Sequence, residues 1–304
     1  YATRAGLEIL KKGGNAFDAA VAVSLALSVT EPHHSGIGGG CFSLIYSAEK
    51  KEFHAVDGRG VAPANATADL FIKDGVVQDE WKDLGGQSVA VPGLLKTMDV
   101  LLKKYGSMSL AQVAEPAIRY AEEGFGCGYT CALTMFDDSV ERKLKLSEPM
   151  RRLYLKPDGS FYRFGETQKN PELGDLLKKI AEQGVDYFYK GETARKIVQL
   201  INERGGCYTL EDMANYKPKF RTPVRTSYRD CEVVAFAPPS GGSTVIEMLN
   251  ILEHSDLQAM GHNTAESLHA ISEAMKLGFA DRSVALGDPD FVKVDVERLI
   301  SKQF

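Results

Sequence analysis

The sequence predicts an α+β fold, and three observations carry that expectation. Helix-like stretches outnumber strand-like ones and do not alternate with them, so the βαβ rhythm of a parallel sheet is missing. The clearest strands come as neighbours joined by short turns, Cys41 to Tyr46 with Glu52 to Val56 and Thr222 to Tyr228 with Cys231 to Ala237, which is antiparallel spacing. No repeat, low-complexity tract or flexible linker divides the chain, so residues 1–304 are expected to form a single domain portion.

The composition suits a packed protein: of 304 residues, 44% are apolar and 25% charged. With 36 Lys and Arg against 41 Asp and Glu, the net charge of −5 supplies no basic field for a nucleic-acid backbone, so nucleic acid is not expected as a partner. The longest apolar run, Ala19 to Val29, is half the length of a membrane span and contains Ser24 and Ser28, so no span is expected. Five cysteines, an odd number in a long chain, do not make a disulfide framework, which favours a reducing compartment. Tyr1 opens directly into a helix-like stretch without a signal-peptide pattern, so the text is expected to be an interior or processed segment. The 29 glycines exceed the usual share of roughly 7% and point to tight turns and close backbone approaches.

In order along the chain, Tyr1 to Lys12 reads as a helix stopped by Gly13-Gly14. Asn15 then caps a second helix, with Asp18 three residues on to reach back toward the free amides. That helix, through Thr30, is apolar nearly all round and is expected to be buried between layers. Glu31-Pro32 ends it, and the Ser35 to Gly40 turn leads into the first strand pair. Helices follow at Leu94 to Tyr105, Leu110 to Glu123 and across residues 127–146, then a hairpin turn at Lys156 to Gly159, then helices at Pro171 to Glu182 and Gly191 to Arg204. Cys231 to Ala237 is a near-continuous apolar run, as an interior strand requires. Helices at Ser243 to Glu253, Thr264 to Leu286 and Val294 to Gln303 complete the expectation.

Local motifs exclude several chemistries. The Ser35 to Gly40 turn could cradle a phosphate, but it follows a helix and precedes a strand, the reverse of a dinucleotide-binding turn, and Cys41 stands where a third glycine is needed. No Gly-Lys pair and no Gly-x-Ser-x-Gly elbow occur. His262, Glu266 and His269 have a spacing that could place metal ligands on one helix face, although a capped, solvated helix start explains them better. Cys127 and Cys131 read as buried small apolar residues. Arg59, between Gly58 and Gly60 after a strand, is either an ordinary exposed arginine or a planar fork that grips a carboxylate through two parallel hydrogen bonds. Local sequence alone favours the ordinary reading.

Taken together, these segments resemble the γ-glutamyltranspeptidases. The resemblance runs through Gly13-Gly-Asn-Ala-Phe-Asp-Ala-Ala-Val-Ala22, Ser35-Gly-Ile-Gly-Gly-Gly40 and Asp57-Gly-Arg-Gly-Val-Ala-Pro63. It continues through Asn215-Tyr-Lys, Tyr228-Arg229, Pro238-Pro-Ser-Gly-Gly242, Leu249-Asn-Ile-Leu-Glu253, Ala280-Asp-Arg282 and Gly287-Asp-Pro-Asp-Phe291. It implies an N-terminal-nucleophile hydrolase fold, a four-layer αββα sandwich that is incomplete without a second, small subunit released by self-cleavage. The chain then looks like the large subunit of a γ-glutamyltransferase/hydrolase acting on γ-glutamyl amides of the glutathione type.

In that family the nucleophile is the Thr that begins the small subunit. Its α-amine serves as base, its hydroxyl forms a γ-glutamyl ester, and water or an amino acid releases the acyl group. No catalytic residue is therefore expected within these residues, and the Thr is expected beyond Phe304. The resemblance implies that Arg59 binds the α-carboxylate of the donor, and it implies no cofactor or metal. It leaves open assembly into a higher oligomer and a location either exported or cytoplasmic. Gly60 departs from the family's acidic residue after the arginine, and Ser240 stands alone where the family has two serines. Gly60 keeps open one alternative, a cephalosporin- or glutaryl-type acylase on the same scaffold, and a non-catalytic relative that has lost self-cleavage is a separate alternative.

Overall fold

The computed structural model describes residues 1–135, 138–145 and 147–304. The chain divides into two units, residues 1–41 with 58–218 and residues 42–57 with 219–304.

The first unit is helical and is organised around the helix Ala16–Thr30. That helix packs against Ala2–Lys11, Leu94–Tyr105 and Leu110–Glu123, and Leu110–Glu123 in turn packs on Pro171–Gln183. Val21, Ala22, Leu25, Ala26 and Val29 are all buried, which is why its apolar residues go nearly all round. The expected cap forms: Asn15 Oδ1 accepts from the Phe17 and Asp18 amides, and Asp18 Oδ2 accepts from the Asn15 amide at 2.8 Å. Asp18 does more than cap. Its fully buried carboxylate also accepts from the amides of Ser107 and Met108 and from the Ser107 hydroxyl, fastening the turn between Leu94–Tyr105 and Leu110–Glu123 to the start of Ala16–Thr30.

In the second unit Glu52–Gly58 is the middle strand of three, between Cys41–Ser47 and Lys219–Arg221. Its antiparallel register with the latter sets Ala55 opposite Arg221, Val56 opposite Phe220 and Asp57 opposite Lys219. Val224–Tyr228 and Cys231–Ala235 form a hairpin, turned by Arg229 at positive φ. The helix Gly242–Leu252 lies on this hairpin and on Ala265–Ala285. Across that helix pair Glu247, 5% exposed, is hydrogen-bonded to Asp281; burial first, then the shared proton and the charge of Asp281, push the Glu247 carboxyl up to about 7.

Several expectations need correction. Val294 to Gln303 is not a helix but a single turn, Val296–Leu299, capped by Asp295; Leu299 alone in it is buried, too little apolar anchoring to propagate a helix. Cys231 to Ala237 is not an interior strand: it ends at Ala235, Cys231 and Glu232 are exposed, and among the described residues it pairs only with Val224–Tyr228. The strand expected to stop at Val56 continues to Gly58, because Asp57 and Gly58 keep pairing geometry and burial. Cys127 precedes the helix Tyr129–Met135 rather than lying in it, and residues 136, 137 and 146 of the expected 127–146 helix lie outside the described residues. Tyr154 ends a helix, although a Leu155 to Phe161 bridge retains the expected hairpin. Three short helices, Asp79–Leu84, Asp186–Lys190 and Leu210–Asn215, had no periodic signal. Among the described residues no helix is long and apolar enough to cross a membrane.

Two predictions follow from the buried carboxylates. For Asp18, burial raises the pKa but the hydrogen bonds from Ser107, Asn15 and Met108 outweigh it, leaving the folded value below the unfolded one. Its stabilisation is thus present above the ordinary carboxylate range and lost as pH falls through the folded pKa. Asp18→Asn should destabilise the protein by about 3 kcal/mol at neutral pH and flatten the loss of melting temperature below about pH 4. Parallel melting curves for the two proteins would overturn the assignment. For Glu247 the sign is opposite, because a raised folded pKa removes stability as pH climbs from the ordinary value toward 7. Glu247→Gln should melt at nearly the same temperature at pH 5 and pH 8, roughly, while the parent loses stability across that interval.

Candidate functional site

The strand Glu52–Gly58 ends in a charged anchor. Asp57, 7% exposed, accepts from Arg221 Nε at 3.2 Å and Nη2 at 3.0 Å. The same guanidinium reaches Asp290 through Nη1 and Nη2 at 2.8 and 2.7 Å, and Lys219 Nζ joins Asp290 at 2.5 Å. Hydrogen bonds from Arg221 and then Lys219 hold the Asp290 carboxyl far below the usual carboxylate range. Asp290 belongs to the Gly287 to Phe291 motif, which thereby gains a role: it ties its loop to Lys219–Arg221.

Beyond Gly58 the chain makes the turn that carries Arg59, and its backbone is gripped from several directions. A Cβ on Gly58 would stand 1.9 Å from Thr97 Oγ1, and one on Gly40 would stand 2.7 Å from the Gly60 nitrogen and 2.8 Å from the Gly58 oxygen. Only glycine permits these approaches. Thr97, fully buried, donates to the Gly93 carbonyl at 2.9 Å, while the Gly93 and Leu94 amides donate to the Gly39 carbonyl at 2.9 and 3.0 Å. The Ser35 to Gly40 segment is thus clamped to the start of Leu94–Tyr105 and lies against the Arg59 turn. The Tyr216 hydroxyl donates to the Arg59 carbonyl at 2.8 Å. Tyr216 is stacked on Tyr189, ring centres 6.2 Å apart and 16° from parallel, and the buried Tyr189 hydroxyl donates to the Pro92 carbonyl at 2.8 Å. Burial pushes that Tyr189 hydroxyl well above the usual phenol range. On the far side, paired hydrogen bonds between Val61 and Val91 hold the chain as it leaves the turn.

The outcome is a fixed main chain bearing an exposed arginine side chain. Such a guanidinium can offer a carboxylate two parallel donors without the backbone having to order first.

The other sequence candidates fall out differently. The Pro238 to Gly242 segment contains a cis peptide at Pro239 and starts the helix Gly242–Leu252, in the second unit. His262, Glu266 and His269 are all exposed and their ligand atoms do not converge; Thr264 Oγ1 accepts from the Ser267 amide and caps the helix. Cys127 and Cys131 pack with Ala132, Met135 and Leu144, and burial pushes both thiols up, that of Cys131 to about 12. Asp57, Tyr189, Arg221 and Asp290 were not singled out for any role by sequence reasoning. An acid directly after the apolar Ala55-Val56 pair was the one available hint for Asp57, and the Asn215-Tyr-Lys motif held Tyr216 without revealing its partner.

Residues 2–304 match the family model described as Gamma-glutamyltranspeptidase. A glutathione hydrolase proenzyme of Escherichia coli K12 is 40% identical over 307 residues, covering the whole chain and 52% of that protein. An acylase ACY 1 proenzyme of Pseudomonas sp. V22 is 37% identical, again over the whole chain and 55% of that protein. Among solved structures, the γ-glutamyltranspeptidase of Helicobacter pylori superposes with a TM-score of 0.94 at 37% identity, covering 99% of this chain and 86% of that one. The chain spans about half the length of the curated relatives it matches. The fold is α+β, of the N-terminal-nucleophile hydrolase type that the motifs implied. Motif order, fold and full-length match agree, and the chain belongs to the γ-glutamyltranspeptidase family.

Proposed function

We propose that this chain is the large-subunit portion of a γ-glutamyltransferase/hydrolase, in which Arg59 holds the α-carboxylate of a γ-glutamyl donor of the glutathione type. The observation that carries the reading is an exposed arginine on a main chain fixed by Tyr216, Gly39, Gly40 and Thr97. The nucleophile is the Thr of a small subunit following Phe304, which forms the γ-glutamyl ester and yields it to water or an amino acid. Residues 1–304 then make one domain portion that the small subunit completes. Two features support a second subunit: relatives of about twice this length, and apolar side chains such as Phe42, Leu44 and Tyr46 on one strand and Leu268, Ile271, Met275 and Phe279 on one helix that stand exposed.

A second reading, an acylase that takes a glutaryl-type rather than a γ-glutamyl group, draws on Gly60. A Cβ there would stand 3.0 Å from Ala90 Cβ and 3.1 Å from the Val91 oxygen, so the turn is closed where the family has an acidic side chain. Comparing the full-length protein on a γ-glutamyl anilide and on a glutaryl anilide, which lacks the α-amine, separates the readings. Preference for the first supports the transferase/hydrolase, and preference for the second the acylase.

On the γ-glutamyl anilide, Arg59→Lys keeps the charge but loses the planar fork, and should raise KM by about tenfold or more with a smaller change in kcat. Gly40→Ala should raise KM in the same direction while Arg59 remains, because its methyl displaces the Gly58 to Gly60 backbone. Unaltered KM in Arg59→Lys would remove the carboxylate assignment.

A further inference from the structure

The helix Ala16–Thr30 closes on a tight turn in which the His34 and Ser35 amides both donate to the Glu31 carbonyl, at 3.0 and 2.9 Å. The turn brings three side chains onto one spot. One carboxylate oxygen of Glu31 and one ring nitrogen each of His33 and His34 all lie within 4.8 Å of one another. Among the described residues this is the only set of three or more His, Cys, Asp or Glu side chains so gathered.

A second observation concerns His33 alone. Its side chain is 2% exposed, and neither ring nitrogen makes a hydrogen bond, although Nε2 stands 3.2 Å from Glu31 Oε2. A buried polar atom left unsatisfied is destabilising, and a ligand on its lone pair would relieve that cost.

We propose that Glu31, His33 and His34 form a binding site for one divalent ion of the zinc class, with a remaining coordination position left to solvent. Two imidazoles and a carboxylate are the donor set that suits such an ion, harder than the thiolate sets of closed structural sites. Cys127 is not among the side chains whose ligand atoms are gathered there. Zinc bonds of about 2.0–2.1 Å place ligand atoms roughly 3.4 Å apart, so the set must contract slightly. His34 is exposed and its ring can turn to do so without disturbing the core. The rings of His33 and His34 already stand with centres 4.2 Å apart.

The test uses the full-length protein, stripped with a chelator, titrated with zinc chloride by calorimetry and assayed for metal after gel filtration. One zinc per chain is expected, with His34→Ala and Glu31→Gln each weakening binding by about 100-fold or more and His262→Ala leaving it unchanged. Cobalt loaded in place of zinc should give visible absorption bands that His34→Ala abolishes. Because His34 lies at the surface, that variant removes a ligand without opening the interior. Substoichiometric zinc in the parent, or zinc bound equally by the parent and both variants, would overturn the site and leave Glu31 and His33 as an ordinary side-chain contact.

Discussion

The path of the main chain through residues 57–60 is the constraint on which the candidate site depends. It runs where side chains do not fit: Gly58 faces Thr97 with a would-be Cβ separation of 1.9 Å, and Gly40 faces the backbone of Gly58 and Gly60 at under 3 Å. Steric closure of this kind acts differently from a hydrogen bond. It forbids alternative paths, so the entropy of ordering the turn is spent at folding and not when a ligand arrives. Tyr216 and the Val61 to Val91 pairing then remove what freedom remains in the peptide groups. Ordering of the backbone is thereby removed from the cost of binding, which leaves side-chain ordering of roughly 0.5–1.5 kcal/mol for each side chain immobilised.

Charge secures the strand that feeds this turn. A buried carboxylate such as Asp57 is costly unless fully paired, and Arg221 pairs it while also serving Asp290. The planar guanidinium does this with four hydrogen bonds, Nε and Nη2 to Asp57 and Nη1 and Nη2 to Asp290. Removing a single partner of so buried an ion pair costs about 3–5 kcal/mol, far more than the many exposed pairs along the helices, each worth about 0–1 kcal/mol. The first unit solves the same problem with amides and a hydroxyl, which hold Asp18 with no cation against it among the described residues. Both devices use a carboxylate to join elements distant in sequence, 89 residues apart for Asp18 and Ser107 and 164 for Asp57 and Arg221.

That distance explains what could be read from the text. The Asn15 and Asp18 cap, the all-apolar helix after it and the helices Leu94–Tyr105 and Leu110–Glu123 were legible, because each is decided by residues a few positions apart. The turn of Arg59 was legible as a turn, yet its significance came only through the family motifs, since nothing local distinguishes a gripping arginine from a solvated one. Arg221 and Asp290 were invisible as a pair, for a charge run gives no clue to its partner. The last hairpin was misread for another reason. Cys231 to Ala237 carries the composition of an interior strand, but composition records what a strand will face in the finished protein, and among the described residues much of that face is uncovered.

Gly60 shows how a single missing side chain can shift the burden of positioning. In the family pattern an acidic residue directly after the arginine could steady the guanidinium by charge, an exposed interaction worth about 0–1 kcal/mol and weakened by salt. Here the same position is a close approach to Ala90 and Val91, and a side chain could be added only if those neighbours gave way by a few tenths of an ångström. Residue 60 therefore contributes to the turn through the space it leaves empty and not through a charge, and a steric constraint of that kind lacks the salt sensitivity of a surface ion pair.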